Sequence, residues 1–275
     1  MPRIFIAVGP LPPRFEPYLA KAGAVELLDA GRNPIRRKVL RRLRTLAAPG
    51  FQFSLSAPDA LMGDPLDMEA PLPEGMFRRD AGFFRDTETN RFIFREFVKE
   101  IEALKADFVH FRTPSAFGPS ETNRAALTRF ATEWLKDVPT QPVWEPRGLW
   151  QLDEARELVE PLGWIVSVDP FGDFEFPMPS AVGPTYMVLH APRGRRMFSV
   201  EDFEEVADYV RAHEHDIFVT FRGPERHRNA TAFARSFPEG TFEFEGPWMT
   251  TAMAQRALTD GESDEVEYEY VYEEE

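Results

Sequence analysis

Seven short apolar runs in this chain end in the same way, on a dipeptide whose second residue is proline. They are RIFIAVGP, FQFSLSAP, FVHFRTP, PVWEP, IVSVDP, TYMVLHAP and IFVTFRGP, closing at Pro10, Pro58, Pro114, Pro146, Pro170, Pro192 and Pro224. Their β-branched and aromatic residues suit a pleated, half-buried strand. Proline offers no amide hydrogen to a neighbouring strand and holds the residue before it extended, so each run reads as a strand stopped at its C-terminal end. An eighth run, AVELLDAG, lies between the first two and stops at Gly31.

Helical patterns separate the runs. Phe15 to Ala22 is short, and Pro34 at a first helical position begins an arginine-rich helix to Leu46. Thr89 to Lys105 carries apolar residues at Phe92, Phe97, Ile101 and Leu104. Ser120 caps a helix to Lys136, Asp153 begins one to Leu162, and Ser199 with Asp202 forms a capping box for a helix to His213. Asn229 to Phe237 is the last helix, and Phe171 to Pro184 is a loop. Strand and helix therefore alternate, and 43% hydrophobic residues with 25 Phe are enough to fill one large core. The expected fold is α/β, a (β/α)8 TIM-type barrel over residues 1–237, followed by an extension at 238–261 and an acidic tail at 262–275. A doubly wound open sheet also alternates strand and helix, but no Gly-rich phosphate loop follows any strand and eight strands exceed its usual need.

Charge is distributed unevenly. The net value is -14, yet eight of the 46 acidic residues lie in 262–275, where no basic residue occurs. Arg32 to Arg44 carries seven basic residues and no acidic one. Its Ile35, Val39, Leu40, Leu43 and Leu46 also supply the apolar stripe of a barrel helix, so a solvated face and a nucleic-acid surface are both open readings. There is no cysteine, which excludes disulfides and thiolate chemistry. The apolar stretch of MPRIFIAVGP is too short for a secretory or membrane-spanning segment, so a cytoplasmic protein without membrane contact is expected.

In a barrel, strand residues of one parity point inward and the last of them line the C-terminal mouth, where barrel enzymes keep their active sites. That parity gives Glu26, Ser56, Arg112, Glu145, Arg147, Asp169, His190 and Arg222 at the mouth, with Ser54, His110, Ser167 and Thr220 one layer below. Three carboxylates thus face three guanidiniums. Such a set either binds a ligand or forms an ion network that holds the barrel together. Glu145 and Arg147 are expected to be a coupled pair, so that Arg147→Met strands a buried carboxylate at a cost of about 3 to 5 kcal/mol.

With Val25-Glu26, Glu145-x-Arg147 followed by Trp150, Asp169 closing the sixth strand, His190 closing the seventh and Asn229-Ala230 opening a helix, the chain resembles the domain-of-unknown-function 72 (YecE-like) family, as a divergent member. The resemblance covers roughly residues 3 to 237 and implies a TIM-type barrel. Ser56, Arg112, Val188 and Arg222-Gly223 stand where the family usually has a lysine, a glutamine, an arginine and two asparagines.

The chemistry expected at the mouth follows from its residue types. Five histidines, of which only His110 and His190 lie near strand ends, are too few for a metal cluster, so no metal and no cofactor is expected. A glycosidase would need two carboxylates in different protonation states, which nearby arginines oppose. Guanidiniums suit an anionic small molecule or nucleotide, with Glu26, Arg112, Arg147, Trp150 and Arg222 as ligand-binding residues and Glu145, Asp169 and His190 as proton-transfer candidates. The alternative is a non-catalytic scaffold or nucleic-acid-associated protein that uses the 32–44 helix. Phe77, Phe83 and Phe84 with Phe171, Phe174 and Phe176 either stack a ring or roof the barrel.

Overall fold

The computed structural model describes residues 3–12, 15–19, 22–64, 72, 74–172, 183–191, 195–211, 215–235 and 243–244. The acidic tail, Pro192, His213, Phe174 and Phe176 lie outside the described residues. Eight strands appear where the proline-terminated runs and AVELLDAG place them: β1 (Arg3–Gly9), β2 (Ala24–Leu27), β3 (Gln52–Ser56), β4 (Phe108–Arg112), β5 (Gln141–Glu145), β6 (Ile165–Val166), β7 (Thr185–Leu189) and β8 (Ile217–Arg222). The ladders are all parallel, in the orders β7-β8-β1 and β2-β3-β4-β5-β6. A bridge between Val168 and Met187 joins β6 to β7, and β1 lies beside β2, so the strands close into a barrel. A further strand, β9 (Glu243–Phe244), pairs with β1 at Arg3 and Ile4.

The helices are α1 (Phe15–Leu19), α2 (Arg37–Leu46), α3 (Asp59–Met62), α4 (Glu88–Leu104), α5 (Glu121–Arg129), α6 (Leu152–Val159), α7 (Val200–Arg211) and α8 (Arg226–Arg235). The caps explain several boundaries. Thr87 accepts from the Asn90 amide at 3.2 Å, and Ser120 accepts from Asn123 at 3.2 Å. The Ser199 amide donates to Asp202 at 2.6 Å while the Asp202 amide donates back to the Ser199 hydroxyl at 3.3 Å, the reciprocal capping box expected there. Three details differ from the sequence pattern. The second strand stops at Leu27, and Leu28–Gly31 forms a 3₁₀ turn. Helix α2 starts at Arg37 rather than Pro34, because Arg36 is extended and no side chain caps the helix earlier. Helix α5 widens into a π-helical stretch over Phe130–Leu135.

Helices pack outside the strands over two apolar cores, one in which Phe53, Leu55, Val109, Phe111 and Trp144 face outward from the barrel and one in which α7 and α8 cover Ile4, Ile6, Met187, Val219 and Phe221. The barrel interior is a separate apolar plug: Phe5, Ala7, Ala24, Phe108, Val143, Ile165, Tyr186, Val188 and Phe218. Those residues fix the inward parity of every strand except β3, where Ser54 meets the inward Tyr186 instead. Two residues further on stand Glu26, His110, Glu145 and Thr220, and Arg112 and Arg222 lie one step beyond.

Candidate functional site

The charged residues at the strand ends separate into a buried cluster and an open rim. In the cluster, Arg222 at the end of β8 holds Glu26 of β2 with two donors, Nε to Oε2 at 2.8 Å and Nη2 to Oε1 at 2.5 Å. Its third nitrogen, Nη1, donates to Oε2 of Glu145 at 2.7 Å. Glu26 is fully buried and Arg222 only 4% exposed. Charge-assisted, forked bonds of this kind are the strong ones and leave little for a ligand to take. The Thr220 and Tyr186 hydroxyls complete the coordination of Glu26, each donating at 3.2 Å, and Tyr186 also shares a 2.7 Å hydrogen bond with Ser54. Gly9 lets this happen: a Cβ there would run into the Glu26 carboxylate.

His110 stands between the two carboxylates. Its ring is stacked on Tyr186, with centroids 5.2 Å apart. Nδ1 lies 3.1 Å from Glu26 and 3.2 Å from Arg222 Nη2, so a proton on Nδ1 goes to the carboxylate and a lone pair there receives the guanidinium. Nε2 is 3.3 Å from Glu145 Oε2 but makes no directed hydrogen bond. Tyr186 is the network member that the strand-end pattern does not pick out, while His110, Thr220 and Ser54 come from the layer expected below the mouth. The available signal was parity, since Tyr186 lies four residues before His190 on the same strand face and a buried hydroxyl needs a partner.

Electrostatics follow this geometry. Burial works against ionisation of Glu26, but the Arg222 charge and hydrogen bonds, with His110, overcome it and hold the carboxyl well below the usual range. Burial opposes ionisation of Glu145 as well, but the charges of Arg222, His110 and Arg147 outweigh it and bring its carboxyl down to about 2. Burial lowers the Arg222 pKa, yet the two carboxylates more than compensate and raise it. Burial and the Glu26 charge push the Tyr186 phenol well above its ordinary value. Within the cluster, therefore, both carboxylates are ionised and the phenol keeps its proton.

The rim contains the other candidates. Arg147 reaches back to Glu145 Oε1 with Nε at 3.1 Å and Nη2 at 2.8 Å, and its side chain is 46% exposed. Arg112, half-buried at the end of β4, makes no hydrogen bond or ion pair among the described residues. Burial lowers its pKa, and Arg147 and Arg222 lower it further against the pull of Glu145 and Asp59. Across the mouth, the Nδ1 of His190 lies 3.0 Å from Asp169 Oδ2, and the other Asp169 oxygen accepts the Phe171 amide at 3.1 Å. Trp150 stands apart from both groups: its indole N–H donates to the Phe117 carbonyl at 2.6 Å, and it packs on Phe117 and Trp144 beneath the Arg124 guanidinium. Phe84 is fully buried against Phe111, Phe117 and Phe130, while Phe77 is exposed under Arg79.

Two other features bear on the site. Among the described residues no group of three or more His, Asp or Glu side chains is placed to hold a metal ion. A cavity of about 700 Å³ opens at the opposite end of the barrel, where the strands begin, lined by Arg44, Gln52, Lys105, Phe108 and Gln141 among others. Arg44 is already bonded to the carbonyls of Leu104, Phe51 and Lys105 and to Asp107, so four of its five N–H donors are taken up by the protein itself.

The barrel matches solved structures. A DUF72 family protein from Enterococcus faecalis V583 has a TM-score of 0.65 at 12% identity, covering 86% of this chain and 96% of that one. Another, from Thermotoga maritima MSB8, has a TM-score of 0.61 at 14% identity, covering 85% and 98%. The fold is that of DUF72 family proteins. An AP endonuclease, family 2, from Brucella melitensis shares it at a TM-score of 0.57 and 15% identity, covering 86% of this chain and 99% of that one. At such identities the likeness concerns the fold. No family model matches the sequence, and no curated protein matches it. No helix among the described residues is long and apolar enough to cross a membrane.

Proposed function

We propose that the C-terminal mouth binds an anionic small molecule, with Arg112 and Arg147 as its anchors and the Asp169–His190 pair as its proton-transfer group. The observation that supports this most is the charge arrangement around Arg112. Glu26 and Glu145 are already matched by Arg222 and Arg147, whereas Arg112 is half-buried with no carboxylate on it among the described residues. An arginine held out of water without a partner is costly, and an incoming phosphate or carboxylate supplies the missing acceptor in bidentate form. Glu26 and Arg222 then act behind the site. They hold Glu145, and through it Arg147, in position.

The neighbouring folds include an AP endonuclease, a xylose isomerase domain containing protein and a GH18 chitinase, so the barrel itself leaves the reaction open. An aspartate fixing a histidine is the usual orientation device for a general acid or base, and the His190 side chain is 48% exposed to a ligand. Divergent membership of the DUF72 family fits the quoted motifs and the shared fold. Binding of pyrophosphate, citrate and nucleoside monophosphates, followed by calorimetry on the full chain, tests this reading. The expected result is binding of at least one of them that Arg112→Met weakens by more than tenfold and Lys136→Met does not. Equal binding by wild type and Arg112→Met would place the ligand elsewhere.

A further inference from the structure

The outer face of α2 is cationic on a chain that is otherwise acidic. The net charge is -14, and residues 32–44 carry seven basic residues and no acidic one, which leaves the rest of the chain at -21. Leu40 and Leu43 are buried and mark the side of the helix that packs on the barrel. At about 3.6 residues per turn, Arg37, Lys38, Arg41, Arg42 and Thr45 then occupy the opposite arc of roughly 140°, and all five are exposed. Val39 and Leu46 lie together on one flank, outside that arc.

Neighbouring carboxylates leave this arc positive. Arg42 is paired with Glu16 of α1 at 3.2 Å, and Arg37 feels the charge of Glu100 on α4. Burial and the Glu96 charge push the Glu100 carboxyl up to about 7, so near neutral pH it carries only part of a charge. Lys38 and Arg41 have no ion pair among the described residues, and Arg44 is turned away onto Asp107 at 3.0 Å.

The shape of the arc decides what it takes. Arg37 and Arg41, and likewise Lys38 and Arg42, stand one turn apart, about 6 Å along the axis, on a convex surface. Side chains that diverge in this way do not close on one small anion, but each can meet a phosphate of a polymer. A bilayer surface would need apolar side chains among the cations, and the arc has none. The helix lies between α1 and α4, which keeps it out of a groove and confines contact to the phosphate backbone. We infer that this face of α2 binds nucleic acid through its phosphates, without reading the bases. The attraction is between exposed charges, so it is strong at low salt and screened as ionic strength rises.

Fluorescence anisotropy of the full chain with a DNA duplex of about 20 base pairs tests the inference. Three to four phosphate contacts give a slope of about -3 in log affinity against log salt, so binding should weaken about a hundredfold between about 20 and 100 mM salt. Lys38→Gln with Arg41→Gln should reduce that slope by about 2 and weaken binding at about 20 mM salt more than tenfold. Arg95→Gln with Lys99→Gln changes the net charge by the same amount, but on side chains of α4 already paired with Glu88 and Glu96, and should bind within about twofold of wild type. Arg112→Met, at the mouth, should also bind DNA as wild type does, which separates this surface from the anion site proposed above. Loss of DNA binding in Arg112→Met would place the duplex at the mouth and overturn the inference. So would no binding at about 20 mM salt, binding unchanged by Lys38→Gln with Arg41→Gln, or tighter binding to phosphatidylserine vesicles or polyglutamate than to DNA.

Discussion

The two halves of the barrel mouth use the same residue types to different ends. On the β2–β8 side, one arginine serves two carboxylates in a dry layer in which every strong donor of Arg222 is matched. On the β4–β5 and β6–β7 side, Arg112 has no acceptor among the described residues, Arg147 is nearly half exposed, and His190 and Asp169 form a solvent-facing pair. Saturated charges buried together fix geometry, whereas partly buried charges with unused valence are free to take a ligand. Strand parity puts both kinds at one opening, and depth within the barrel separates them.

The largest effect should come from breaking the buried half. Arg222→Met leaves the buried Glu26 with hydroxyl donors but no guanidinium, removes the donor to Glu145 Oε2, and should cost about 3 to 5 kcal/mol in denaturant unfolding. Replacing Glu26 and Arg222 together with Leu should cost less than the single change, because no uncompensated charge remains. Equal losses would show that the pair is not coupled.

Acid should reveal the same cluster. Both carboxyls have folded values below their unfolded ones, Glu145 at about 2, so their contribution is present above the ordinary carboxyl value of about 4.3 and is lost as pH falls toward 2. Unfolding free energy of the wild type should therefore drop between about pH 4.5 and 2. The Glu26→Leu, Arg222→Leu variant should show a shallower slope over that interval; an unchanged slope would assign the acid sensitivity to other groups.

The smallest stability effects belong to the open half. Arg147→Met should cost below about 1 kcal/mol, since the side chain is nearly half exposed and Arg222 still holds Glu145. This corrects the larger cost that the sequence suggested for Arg147: the carboxylate stays paired, and the large penalty moves to Arg222. Arg112→Met should change stability by about 0.5 kcal/mol or less while removing anion binding. A large loss of stability in Arg112→Met would make that residue part of the frame.

Most of the architecture was legible because proline marks each strand end by a local steric rule, and inward parity then follows from the two-residue repeat. Depth was not legible in the same way. Glu26 lies lower in the barrel than Glu145 because β2 ends early, at Leu27, and no residue pattern announces that length. The role of Tyr186 has no local signature, because its partners, Ser54 and Glu26, come from strands more than 130 residues away. Trp150, three residues past Arg147, suggested a ligand contact, but its neighbours Phe117 and Trp144 claim both its ring and its N–H.

The division of the mouth into a frame and a site is tested most directly by soaking crystals in selenate and locating selenium by its anomalous signal. A peak within about 4 Å of the Arg112 and Arg147 guanidiniums, absent in Arg112→Met crystals, is the predicted result. Selenate bound against Arg222 in place of Glu26, or no peak in the mouth at about 50 mM selenate, would contradict it.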